Sequence, residues 1–378
     1  MLNNPSNRFS ILGVNSSGGG TVSVTNFGSL GTSGYLLIGN STAAGPVKFI
    51  YAGPATTTSL AFQTADLTPT ILNNGSGAVT FSPANFTVPY GTPVSGTPQT
   101  LTLGGSADIN ILGVIQDANN KGTNGFNTSL VKTNSNTLTI SGTNTYHGTT
   151  TVKAGTLFGV TGGSCSNSAV TLAAITGNSA VLGVSVTNNT KQWTIPSLTV
   201  NNGGVSSGLQ FNFGPVAPGT TVAPMNIAGA ATFTTTPGIT VTGSSLPVSS
   251  GNGYPLMSWS SGGPANTNGM TLSLPAGIVG NLAVVGNTLY LKVTVGTVTS
   301  APNFQAGGFS YSNGTMSLTA TGAIGGTFKL WATTNLALKP VTNTWTLLTN
   351  GTVTASPFTL TDPGAATNQQ RFYLFTAP

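Results

Sequence analysis

Short β-prone runs recur along nearly the whole chain, and clusters of Gly, Asn or Pro separate them. Thr21–Val24 (TVSV), Tyr35–Ile38 (YLLI), Val47–Tyr51 (VKFIY), Gln99–Leu103 (QTLTL), Thr137–Ile140 (TLTI) and Ser197–Val200 (SLTV) are examples. Intervals of roughly 8 to 15 residues between such runs are the punctuation of an all-β chain. No stretch combines a 3.6-residue apolar period with helix caps, so a helical layer is not expected. Within the runs, aliphatic residues alternate with Thr or Ser. Asn pairs at 73–74, 119–120, 188–189 and 201–202 suit left-handed turn positions.

These features favour a stacked coil over a compact sandwich. Stacking one rung on the next hydrogen-bonds the backbone along the long axis and buries one aliphatic face per strand. Asparagines at equivalent corners form amide ladders in such a stack, and threonine suits its outer face. The expected fold class is all-β, a parallel β-helix (solenoid) followed by a small C-terminal β-sandwich. The solenoid is expected over 1–296, with capping rungs at about 198–295, a linker at 297–308 and the sandwich at 309–378. Coils of roughly 20 to 25 residues imply a body of order 60 Å.

Composition narrows the chemistry. Only 4% of the 378 residues are charged, against roughly 25% in ordinary soluble domains. The acids are Asp66, Asp108, Asp117 and Asp362, beside one histidine, His147, and one cysteine, Cys165. A disulfide framework and a Cys/His zinc site are therefore excluded. The net charge of +6 comes from ten basic residues scattered singly. No basic stripe can track phosphates, so nucleic acid is not an expected partner. The longest nearly apolar stretch, Ala276 to Gly286, is interrupted by Asn281 and too short to span a bilayer, so no membrane span is expected in this chain. The opening MLNNPSNRFS lacks a basic n-region and an apolar h-region, so it does not read as a signal peptide. A low-charge chain rich in Thr, Ser, Asn and Gly is nonetheless expected outside the cell, extracellular or on the outer cell surface.

One segment is more specific. Residues 136–157 read NTLTISGTNTYHGTTTVKAGTL, with Leu138, Ile140, Gly142, Asn144, Tyr146, Gly148, Thr150, Val152, Ala154, Gly155 and Leu157 in a characteristic order. This resembles the autotransporter-associated β-strand repeat of secreted, passenger-like bacterial proteins, with a lead-in from about residue 100. The resemblance implies a right-handed parallel β-helix and no catalytic residue. In that frame Leu138, Ile140, Val152 and Ala154 point inward. Family members normally repeat the unit many times, whereas one clear copy stands here. The C-terminal run TNLALKPVTNTWTLLTNG, FTLTDP and QRFY is similar to a module common in large secreted proteins of environmental Gram-negative bacteria.

Candidate site residues are few. His147, at an expected corner, reads as a solvated turn residue, because no second His, no Glu and no nucleophile partner is visible. Cys165 reads as a small loop or rung residue. Asp108 and Asp117 flank the apolar run INILGVI; calcium wants six to eight oxygens and glycoside hydrolysis two opposed carboxyl groups. Turn capping is the plainer role for both aspartates. In the C-terminal region alternation places Phe328, Leu330 and Ala332 on one face, followed by Trp345 with Leu347 and Phe358 with Leu360. It sends Trp331 to the opposite face, which makes Trp331 the one candidate contact for a glycan or partner protein. No catalytic, cofactor or metal residue is assigned. The expected function is a non-catalytic structural protein, an adhesin, matrix or fibre component that self-associates. The alternative is a carbohydrate-binding or polysaccharide-degrading β-helix, which the scarcity of acids disfavours.

Overall fold

The computed structural model describes residues 9–11, 20–30, 35–38, 47–64, 67–82, 85–87, 98–117, 127–201, 207–295, 301–322 and 327–376. From Thr21 to Ser273 every strand pairs in parallel with strands of neighbouring rungs, as a solenoid requires. Two long sheets carry the stack, one of thirteen strands and one of nine. A three-stranded and a two-stranded parallel sheet complete the first rungs. Twelve strands follow one another along the longest path, which at ~4.8 Å per step gives a body of order 50 Å.

Rung length departs from expectation in an informative way. Leu130 pairs with Thr150 and Thr150 with Val170, so the rungs of the repeat segment hold about 20 residues. Elsewhere Leu198 pairs with Ala231 and Ile239 with Leu272, rungs of about 33. Most of the extra residues lie in excursions between strands, and the register against Tyr254–Gly262 shifts between Ile227 and Ala230.

The core consists of columns of register-matched side chains. In the nine-stranded sheet Val79, Ile109, Leu138, Leu157, Leu182, Leu209 and Ile239 stack one above another, and each is at most 1% exposed. Each such side chain contributes roughly 1.5–3 kcal/mol by leaving water. The alternating Thr, Ser and Asn residues face outward, which is why so little charge suffices. A parallel column runs Phe81, Ile111, Ile140, Gly159, Val184, Phe211 and Val241. Gly159 interrupts it because the Trp193 indole fills the vacated space; a Cβ there would lie 2.0 Å from the ring. The expected inward set, Leu138, Ile140, Val152 and Ala154, is buried.

The parallel stack ends in a reversal. The strand Val279–Val285 and the strand Thr288–Val295 form an antiparallel hairpin, and the second of these pairs antiparallel with Tyr254–Gly262. Residues 303–308, assigned to a linker by sequence, belong instead to the strand Asn303–Ser312. That strand turns at Asn313 (φ 49°) and Gly314 (φ 80°), the Asn-Gly signature of a two-residue hairpin loop, into Thr315–Thr321.

Two three-stranded antiparallel sheets form the C-terminal region, closing on Leu318, Ala320, Phe328, Leu330, Val353 and Phe375. Residues 341–344 make a single helical turn, so the next strand starts at Thr346. This offsets the expected alternation. Leu348 packs on the core, whereas Leu347 is 41% exposed.

Candidate functional site

The corner that follows Val114–Gln116 gathers the chemistry of the repeat segment. Asp117, 2% exposed, stands at the end of that strand. One carboxylate oxygen accepts the Thr128 N–H at 2.7 Å, and the carboxylate also accepts the His147 N–H at 3.1 and 3.2 Å. His147 Nδ1 lies 2.6 Å from Asp117 Oδ2, and an ionised carboxylate there favours the tautomer with the proton on Nδ1; the side chain is 42% exposed. Sequence reasoning treated His147 as a lone turn residue. The partner lies 30 positions away, so only knowledge of the rung length would have found it.

An aspartate holding a histidine supplies two members of a nucleophilic triad. The third is missing: among the described residues no hydroxyl or thiol lies within hydrogen-bond distance of Nε2. Cys165 is buried behind the corner. Its thiol lies 3.6 Å from both Tyr146 Oη and Asn144 Nδ2, and burial pushes its pKa up to about 12. The Tyr146 hydroxyl, 2.6 Å from Thr150 Oγ1, is likewise raised, chiefly by burial. Thr150 Oγ1 in turn meets Ser168 Oγ at 2.8 Å. This chain of hydroxyls is a satisfied interior seam with neither a thiolate nor a path to substrate.

Lys132 is the second feature the sequence did not disclose. It occupies an inward column that otherwise reads Phe49, Ile71, Leu103, Val152, Leu172 and Val200. Its aliphatic stem packs in line while Nζ donates to the carbonyls of Thr133, Asn134 and Ala154 at 2.7, 2.8 and 3.1 Å. All three ammonium protons are thereby used. Burial lowers its pKa to about 8, and the Asp108 carboxylate opposes that shift.

The remaining candidates are placed as follows. Asp108 accepts the Thr137 N–H at 2.7 Å and shares none of the hydrogen-bond partners given above for Asp117. Asp66 lies outside the described residues. Asp362, 2% exposed, accepts the Gly364 N–H at 2.9 Å, takes the Tyr373 hydroxyl at 3.0 Å and pairs with Arg371 at 2.9 Å. Burial, then the contact with Asp362, pushes the Tyr373 pKa up to about 12. Trp331 is not an open platform. The register shifts between Leu330 and Trp331, and the four residues from Leu330 to Thr333 are all buried. The indole is 6% exposed and donates to Thr376 Oγ1 at 2.9 Å. No group of three or more His, Cys, Asp or Glu side chains suited to a metal ion occurs among the described residues.

Comparison with known proteins gives one result. No curated protein and no solved structure matches the chain. A family model, the passenger-associated-transport-repeat, matches residues 130–157, the span that holds Lys132, Leu138, Tyr146 and His147. The chain thus carries a passenger-associated transport repeat, a segment typical of autotransporter passenger regions, which marks it as a passenger-like β-solenoid protein and points to secretion to the cell surface.

Proposed function

We propose that the chain is a non-catalytic structural segment of a cell-surface protein, an adhesin, matrix or fibre component that works through its stacked scaffold. The observation that carries this reading is the use made of the carboxylates. Asp108, Asp117 and Asp362 each accept at least one backbone N–H, and each does so at a corner or strand end. A carboxylate committed to capping is a poor general acid, base or nucleophile, because catalysis would unmake the bonds that hold its corner. The repeat at 130–157 supports a passenger role, and the low charge supports dense packing at a surface.

The test is turnover by the purified chain on neutral and acidic polysaccharides, esters and peptides. The expected outcome is no saturable activity. Hydrolysis that survives repurification and disappears in Asp117→Asn or His147→Gln would overturn the proposal.

A further inference from the structure

One cleft lies apart from the Asp117 corner and remains unexplained by the scaffold role. It opens between the chain that leaves the strand Met225–Phe233 and the loop 263–270 that follows Tyr254–Gly262. Its volume is about 320 Å³, at the lower end of the range for small-molecule sites. The loop wall is built by the sequence. Gly262, Gly263 and Gly269 adopt φ of 66°, 80° and 77°, which turns the chain outward and back. Gly263 also lies directly on the Trp259 ring, where a Cβ would stand 2.2 Å from the indole nitrogen.

The lining has a definite chemical character. Not one of its residues is titratable. Phe233 and Met270, both half-buried, supply apolar surface, and Thr235, Thr236, Asn266 and Asn268 supply hydroxyls and amides. Several polar atoms are uncommitted. Asn266 Oδ1 accepts the Asn268 N–H at 2.9 Å, which leaves the Asn266 amide nitrogen and the whole Asn268 amide free among the described residues. Thr235 Oγ1 is shielded from solvent and has no hydrogen-bond partner. Such a hydroxyl is costly to leave unpaired, and contact with a ligand requires it to turn into the cleft.

We propose that this cleft binds a neutral sugar residue of a surface or matrix glycan. A pyranose presents an apolar C–H face and a rim of hydroxyls that both donate and accept. Phe233 and Met270 match the face; the Thr235 hydroxyl and the Asn266 and Asn268 amides match the rim. A uronate or phosphorylated ligand finds no counter-charge here and would be desolvated without compensation. The site goes beyond the scaffold role, since neither the capped carboxylates nor the repeat at 130–157 contributes to it.

The experiment is saturation-transfer NMR on the whole chain with gluco-, manno-, galacto- and N-acetylglucosamine oligosaccharides. Polygalacturonate and an acidic peptide serve as charged counterparts. Thr235→Val and Asn266→Ala are the variants, with circular dichroism confirming that each folds. Transfer to at least one neutral oligosaccharide is expected, with affinity reduced about tenfold in either variant. Weaker or absent transfer to polygalacturonate and the peptide is also expected. Three outcomes would overturn the proposal: no transfer to any neutral sugar, binding unaltered in both variants, or preferential binding of the charged probes. Turnover assays read the scaffold proposal separately, so the two can fail independently.

Discussion

Asp117 holds more backbone than its size suggests. Removing it deprives the Thr128 and His147 N–H groups of this carboxylate, in a buried contact for the first and a part-buried one for the second. Asp117→Ala should cost about 3 kcal/mol in denaturant unfolding, since each orphaned buried donor costs roughly 1–3 kcal/mol. Asp117→Asn keeps one side-chain oxygen and should cost less. His147→Ala should cost under ~1 kcal/mol, because its ring is 42% exposed and its contact is correspondingly screened. Equal losses in Asp117→Ala and His147→Ala would contradict this ranking. Lys132 gives a pH dependence of definite sign. Its pKa falls from the ordinary 10.5 to about 8 in the folded chain, so between these values the unfolded chain binds more protons. Stability should therefore rise as pH increases from about 8 towards 10.5, with no contribution to the slope below that window. Urea midpoints across pH 7 to 10.5 measure this. Lys132→Met should flatten the rise relative to the wild-type chain. A fall with pH that requires Lys132 would show that the three carbonyls hold the proton more tightly than burial repels it.

At the scale of the strand, the all-β class and the inward set of the repeat were legible because period-2 alternation and Gly/Asn punctuation are local signals. Leu138, Ile140 and Val152 could be oriented from their neighbours alone. What the sequence concealed is non-local or depends on one offset. The Asp117–His147 contact and the place of Lys132 in an aliphatic column both require the rung register, which variable excursions hide. Trp331 lies outside the cluster that holds Phe328 and Leu330, in keeping with alternation, yet it is buried, and alternation alone says nothing of what covers a face. The Asn313-Gly314 pair is a local hairpin signal of the same kind, and the chain turns there between Asn303–Ser312 and Thr315–Thr321. Gly159 offers a test at this scale. Gly159→Ala places a methyl group within the Trp193 ring and should destabilise the fold by about 1–3 kcal/mol, as overpacking does. The same change at Gly208, where a Cβ would have no atom nearer than 3.5 Å, should have far less effect. Thermal unfolding of the two variants compares them directly; similar shifts would refute the packing account.

For the whole molecule, the two ends of the stack differ. At one end the antiparallel hairpin Val279–Val285/Thr288–Val295 follows the last parallel rung of the thirteen-stranded sheet, while Thr271–Ser273 is the outermost strand of the nine-stranded one. At the other, Thr21–Val24, Thr56–Thr58 and Phe9–Ile11 are the outermost strands of their sheets. Their outer backbone groups have no strand partner among the described residues. Such edges template pairing, and a net charge of +6 spread over 378 residues offers little repulsion. The isolated chain is therefore expected to self-associate through this end. Sedimentation velocity should show concentration-dependent oligomers that a polar capping strand fused before Met1 suppresses. A monomer at high concentration, with the Thr21–Val24 amides protected from exchange, would rule this out.

The parallel register also determines how the molecule bears load. Its interstrand hydrogen bonds point along the stack, so tension applied through the two chain ends pulls at one edge strand at a time. Resistance is that of the weakest exposed rung, and the chain pays out in steps as each rung peels. At roughly 3.4 Å per extended residue, a rung of the repeat segment, from Leu130 to Thr150, lets out about 70 Å. The rung from Leu198 to Ala231 lets out about 110 Å. A surface protein made this way lengthens by increments set by its excursions, so loop length determines how far it stretches before the next row of bonds takes the strain.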